Sequence, residues 1–136
     1  MGVTMQQKIY EVSFPGGKRV DAVSGTMLIR TDQSRENGGE ESAPEPFQLF
    51  LASIATCAGI YVLGFCQARG LNTAGLGIKM SCEWDEHKKL CTKINIDLRL
   101  PEAFPEKYQT AIRKAVDQCT VKRHLATPPE FSLNLL

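Results

Sequence analysis

An α+β fold built on antiparallel sheets is what this sequence predicts, and three observations carry the prediction. Short stretches of period-two hydrophobicity, bounded by turn residues, open the chain and return in its second half. Between them runs "PFQLFLASIATCAGIYVLGFC", residues 46–66, without one charged side chain. A second helical pattern, amphipathic this time, occupies the region from Pro105 to Cys119.

The elements follow in order. "KIYEVSFPGG" sets Ile9, Val12 and Phe14 in near-alternation before the breaker Pro15-Gly16-Gly17, and "KRVDAVSG" and "TMLIRTD" complete a meander of three strands. The turn presents Lys18 and Arg19 at the start of the second strand. Residues 34–45, "SRENGGEESAPE", have no apolar period and read as a mobile loop joining sheet to helix. Pro46 suits a first helical turn, so a helix is expected from there to about Gln67, ending near Gly70.

Apolar residues cover every side of that helix, which leaves it little face for water. Its length matches the ~20 residues that cross a bilayer. Gln48, Ser53, Thr56 and Gln67, with no basic cluster at either end, argue for a core helix instead. The small residues Ala52, Ser53, Ala55, Ala58, Gly59 and Gly64 let other backbones approach closely. A single chain of 136 residues has few ways to cover such a helix, whereas a dimer lets each chain cover the other's.

Residues 74–100 read as a two-stranded hairpin turning at Asp85 to Lys89. Setting Trp84 opposite Leu90 also pairs Cys82 with Thr92, Met80 with Ile94 and Ile78 with Ile96, with the apolar residues on one face. Pairing Cys82 with Cys91 instead would turn one strand's apolar residues outward, so no bond between them is expected. Tyr108, Ile112, Ala115, Val116 and Cys119 share a face of the second helix, and "TPPEFSLNLL" is expected to close with a turn and a short strand. No repeat or long linker divides the chain, which reads as a single domain, residues 1–136.

The net charge of +1 provides no field to hold nucleic acid or anionic lipid, so neither a nucleic acid nor a membrane is an expected partner. "MGVTMQQKIYEVSF" lacks the features of a secretory signal, which points to the cytoplasm. Five cysteines, an odd number, then imply reduced thiols and transient disulfides. Metal-ligand spacing of the C-x-x-C kind is absent and His87 falls in a turn, so neither a metal nor another cofactor is expected. No nucleophile elbow supports serine hydrolysis. Cys57 and Cys66, nine positions apart, point to opposite sides of their helix and cannot bond each other. Cys66 reads as a small core hydrophobe.

The run from Pro46 to Cys57 followed by Ala58-Gly59, the later "DQCTVKRHL", and the separation of 62 positions between Cys57 and Cys119 together resemble the OsmC/Ohr family of small thiol peroxidases. The resemblance spans nearly the whole chain. It implies an intertwined homodimer whose antiparallel sheets wrap long central helices, with two active sites at the subunit interface. It also implies organic hydroperoxides as substrates, Cys57 as the peroxidatic residue, Cys119 as the resolving thiol and an external dithiol as reductant. A thiolate attacks the peroxide, and an apolar helix opposes its formation, so a cation must compensate. The resemblance implies Arg19 for that role, with Lys18 as the alternative. Lys122, Arg123 and His124 read as a solvated basic edge rather than as partners of Cys119. One departure stands out: the family often places a glutamate directly after the helix-opening proline, and here that position is Phe47, followed by Gln48. These two residues are the expected lining of a more apolar substrate channel.

Overall fold

A computed structural model describes residues 5–136; the first four residues of the N-terminal stretch lie outside the description. The chain forms two compact units, one reaching to Leu51 and the other spanning Ala52–Leu136. In the first, β1 (Glu11–Gly16), β2 (Arg19–Ser24) and β3 (Met27–Thr31) make an antiparallel sheet in the order β1-β2-β3. Gly17, at a positive φ of 58°, turns the chain between β1 and β2, with a bulge between Ser13 and Gly16. The expected meander is therefore present, and Lys18 lies in the turn while Arg19 opens β2.

The loop at 34–45 is tied rather than free, which corrects the mobile connector expected above. Asp32, only 1% exposed, accepts hydrogen bonds from the backbone N–H groups of Gln33, Glu40 and Ser42 and from the Ser42 hydroxyl, at 2.5–3.3 Å. Those donors hold its carboxyl below the usual range, at about 2. The Glu45 carboxylate accepts from the Ser34 N–H at 2.9 Å, so the far end of the loop is fastened too. Composition alone reported the polarity of this segment but not that one buried carboxylate organises it.

α1 (Pro46–Ala68) starts and stops where the proline and Gly70 indicated. Gln48 accepts from the Glu45 N–H at 2.8 Å, the returning half of a capping box. Gly70 adopts a φ of 62°, and the Leu71 N–H reaches back to the Cys66 carbonyl at 2.9 Å, closing the helix end.

In the second unit β4 (Gly77–Asp85) and β5 (Leu90–Arg99) form the antiparallel hairpin, and α2 (Gln109–Asp117) follows a short 3₁₀ turn at Glu106–Tyr108. Val62, Phe65 and Cys66 of α1 pack with Ile112 of α2 as the buried centre. Leu76, Ile78, Leu98, Leu100 and Tyr108 close around it. Phe65 meets Tyr108 edge-on at 5.9 Å, and Arg69 lays its guanidinium over the Phe65 ring at 3.5 Å. Ile54, Ala58, Val62, Phe65 and Cys66 fall on one side of α1; Ile60, on another, is 59% exposed, so the helix is not covered all round within one chain.

Four expectations about this unit are corrected. Ile78 pairs with Leu98, Met80 with Ile96 and Cys82 with Ile94, two residues along from the expected register although the same face stays apolar. Between Glu83 and Trp84 the register shifts by one, so that Trp84 faces Cys91. Cys82 and Cys91 are joined by a disulfide with Cα atoms 5.9 Å apart, against the expectation that they stay apart. The one-residue slip that would have exposed a whole strand is confined by the bulge to the hairpin tip. The helix expected to carry Cys119 ends at Asp117, and a further helix, α3 (Thr120–Ala126), follows it. No strand forms over residues 128–136, where Phe131, Leu133 and Leu135 are exposed in alternation. A strand needs a neighbour for its backbone groups, and that segment has none among the described residues.

Candidate functional site

Cys57 lies in the middle of α1 and is half-buried; Cys119 is buried in the break between α2 and α3. That break places Cys119 in an extended conformation, φ −59° and ψ 140°, as the N-cap of α3. Its sulfur accepts from the Lys122 N–H at 3.3 Å, and the Arg123 N–H bonds its carbonyl at 3.0 Å. The two cysteines, 62 positions apart in sequence, are brought together: both are free thiols, and Cys57 lies near enough to act on the Cys119 thiol.

One helical turn beyond Cys57, the Tyr61 hydroxyl meets the Thr120 hydroxyl at 3.0 Å. Two side chains of α1 at i and i+4 thus engage two successive residues of the other segment, Cys119 and Thr120. Tyr61 and Thr120 were missed in the sequence, because nothing in its pattern showed that the chain breaks at Cys119 and lays its next residue against α1.

Burial pushes the Cys119 thiol above its ordinary range, the Lys122 N–H acts in the opposite direction, and the neighbouring Cys57 thiol pushes it further up. Cys119 is therefore protonated at neutral pH. The basic residues after it do not serve it with their charges. Lys122 is paired with Asp117 at 2.6 Å, Arg123 reaches the Thr120 hydroxyl at 3.4 Å, and the His124 ring lies 2.6 Å from the Thr120 carbonyl. All three are exposed, as expected for a solvated edge. Cys66 is fully buried in the core cluster, where burial raises its thiol pKa, in keeping with a packing role.

The other expected site residues belong to the first unit. Arg19 is exposed, donates from Nε to the Gly16 carbonyl at 3.3 Å, and has no carboxylate in ion-pair range among the described residues. Phe47 stacks on Phe50 at 5.6 Å, and Gln48 is engaged in the helix cap. A groove of about 560 Å³ lined by Ile78, Ile94, Leu98, Ile112 and Val116 includes neither thiol. Among the described residues no three metal-ligating side chains converge. What the cysteine pair can do chemically is exchange two thiols for one disulfide, with the Cys57 sulfur the more open to an incoming reagent.

A family described as OsmC-like protein matches residues 38–134, a span that includes both thiols. No curated protein matches the sequence. Among solved structures the chain is similar to an OsmC-like protein of Mycoplasma pneumoniae, at 12% identity with a TM-score of 0.69, covering 92% of this chain and 91% of that one. It is also similar to an organic hydroperoxide resistance protein of Legionella pneumophila, at 17% identity and a TM-score of 0.60, covering 90% and 91%. A protein of Aquifex aeolicus gives 19% identity, a TM-score of 0.64, and coverage of 91% and 90%. At these identities the likeness speaks for the fold.

Proposed function

Because the chain belongs to the OsmC-like protein family, we propose that it is a cytoplasmic thiol peroxidase for organic hydroperoxides, acting as a homodimer. The observation that carries this reading is the pair of neighbouring free thiols, Cys57 half-buried on α1 and Cys119 buried at the N-cap of α3. The Cys57 thiolate attacks the terminal peroxide oxygen, breaking the O–O bond; the alcohol leaves with a proton and Cys57 becomes a sulfenic acid. Cys119 then attacks that sulfur, a water departs, and a Cys57–Cys119 disulfide results. An external dithiol reduces it, returning both thiols. The thiolate needs a cation, the role that the family resemblance implies for Arg19, which has no carboxylate partner among the described residues. The apolar surroundings favour an alkyl hydroperoxide, whose tail gains by leaving water.

The apolar surface left open supports the dimer. Phe14 is 78% exposed, and Val12, Met27 and Ile60 are exposed as well, apolar surface that a second copy would cover.

The Phe47 position favours a second reading, a non-catalytic redox sensor or small-molecule binder on the same scaffold. With Phe47 where the family often has glutamate and Gln48 engaged in the cap, no neighbouring carboxylate follows the proline to orient Arg19. One experiment separates the two readings. Reduced protein receives one equivalent of cumene hydroperoxide and its thiols are mapped by mass spectrometry, with Cys57→Ser and Cys119→Ser as controls. A Cys57–Cys119 disulfide that a dithiol turns over repeatedly is the peroxidase outcome. A disulfide that forms but never cycles supports the sensor, and unmodified cysteines overturn both redox readings in favour of ligand binding.

A further inference from the structure

The Cys82–Cys91 bond has no place in the chemistry above and sits elsewhere, at the tip of the β4–β5 hairpin. Along most of the hairpin the pairing is regular: Ile78, Met80 and Cys82 share one face with Leu98, Ile96 and Ile94. Continued unbroken, that register would set Trp84 opposite Thr92 and Asp85 opposite Cys91. Cys91 would then face away from Cys82, and Leu90 would lie on the apolar face. The bulge after Glu83 reverses the alternation for the last residues of β5: Thr92 becomes the extra residue, Cys91 comes opposite Trp84, and its sulfur reaches Cys82. In that arrangement Leu90 is turned out to 58% exposure.

The tip therefore has two registers that favour different things. One satisfies the sulfur–sulfur bond. The other returns a leucine to the apolar face and removes the unpaired residue. The disulfide spans only nine positions, so the loop it closes in the unfolded chain is short and its stabilisation lies at the lower end for such bonds. Both cysteines are half-buried, flanked by exposed Glu83, Trp84 and Thr92, within reach of a small thiol.

We propose that Cys82 and Cys91 form a second, reversible dithiol–disulfide site, distinct from Cys57 and Cys119, which exchanges with low-molecular-weight thiols and sets the register of the hairpin tip. In the oxidising direction one cysteine thiolate attacks a small-molecule disulfide, forming a mixed disulfide and releasing one thiol. The second cysteine displaces the other half. The two protein protons end on the two released thiols, and the protein has lost two electrons to the reagent. Reduction by two small thiols or one dithiol is the reverse. With the bond open, the bulge loses its anchor, Trp84 pairs with Thr92, and Leu90 turns onto the apolar face. The inference does not depend on peroxidase activity.

The test uses the full chain carrying Cys57→Ser and Cys119→Ser, equilibrated in graded mixtures of reduced and oxidised glutathione. Thiols are trapped by alkylation and mapped by mass, and cross-strand contacts between α-protons are read by NMR. The wild-type chain, mapped peptide by peptide, guards against a folding defect in the double variant. The expected result is that Cys82 and Cys91 lose their thiols together within the series. The Trp84–Cys91 contact gives way to Trp84–Thr92 on reduction, and Cys91→Ser shows the reduced pattern in every mixture. Two free thiols throughout, a bond that survives full reduction, or Trp84 still opposite Cys91 in the reduced chain would each overturn the proposal.

Discussion

Replacing Tyr61 by Phe removes one oxygen and leaves the ring in place, so it tests whether the Tyr61–Thr120 contact holds the second thiol against the first. The hydroxyls are 3.0 Å apart, Tyr61 is half-buried and Thr120 is exposed. A hydrogen bond with one wet partner sits in the lower part of the net range, about 0.5–1 kcal/mol. If that free energy keeps the Cys119 segment docked on α1, losing it lowers the equilibrium constant for the Cys57–Cys119 disulfide by roughly two- to fivefold. The assay equilibrates the protein with glutathione buffers at pH 7, alkylates, and quantifies the Cys57 and Cys119 peptides separately from the other cysteines. Thr120→Val should give a loss of similar size, and the double variant little more than either single change, because both act through one contact. An unchanged equilibrium in Tyr61→Phe, or fully additive losses in the double variant, would refute the reasoning.

Ile112→Ala, at the centre of the cluster with Val62, Phe65 and Cys66, should cost roughly 2–5 kcal/mol in urea unfolding, and a cost below about 1 kcal/mol would mean the cluster is not the core. The Asp32 carboxyl is lowered to about 2 from 3.8, so its contribution is present above pH 3.8 and is lost as pH falls toward 2. Amides of Gln33, Glu40 and Ser42 should lose exchange protection across that window, and Asp32→Asn should remove the pH dependence. Cys66 and Cys119 both have thiols raised above 9.0, so as pH rises past 9 the unfolded chain ionises first and stability falls, a slope that Cys66→Ala should lessen in alkaline urea titrations.

Some of this protein could be read along the chain because the deciding physics is local. Pro46, an uncharged apolar run and Gly70 bound a helix whatever surrounds it, and they set α1 to within a residue or two. The turn at Gly17 places Arg19 at the head of β2, and the alternation in β4 and β5 identifies the apolar face. The motifs around Cys57 and Cys119 carried a family resemblance, and that resemblance implied the pair that the fold brings together. Other features depend on what a residue meets far away. The register of β4 against β5 differs by two residues from the best-looking hydrophobic alignment, since both alignments keep the same face apolar and only packing on the core built by α1 and α2 tells them apart. The bulge that joins Cys82 to Cys91 leaves no mark in periodicity, because a single extra residue looks like noise in a pattern of alternation. The break at Gln118, which makes Cys119 a helix cap rather than part of a helical face, is settled by contacts of Cys119 and Thr120 with Cys57 and Tyr61. Local preference thus determined the five strands and the bounds of α1, but not the break before α3 or the absence of a strand over residues 128–136. Burial and long-range hydrogen bonding, which only the folded chain possesses, decided which side chains face one another.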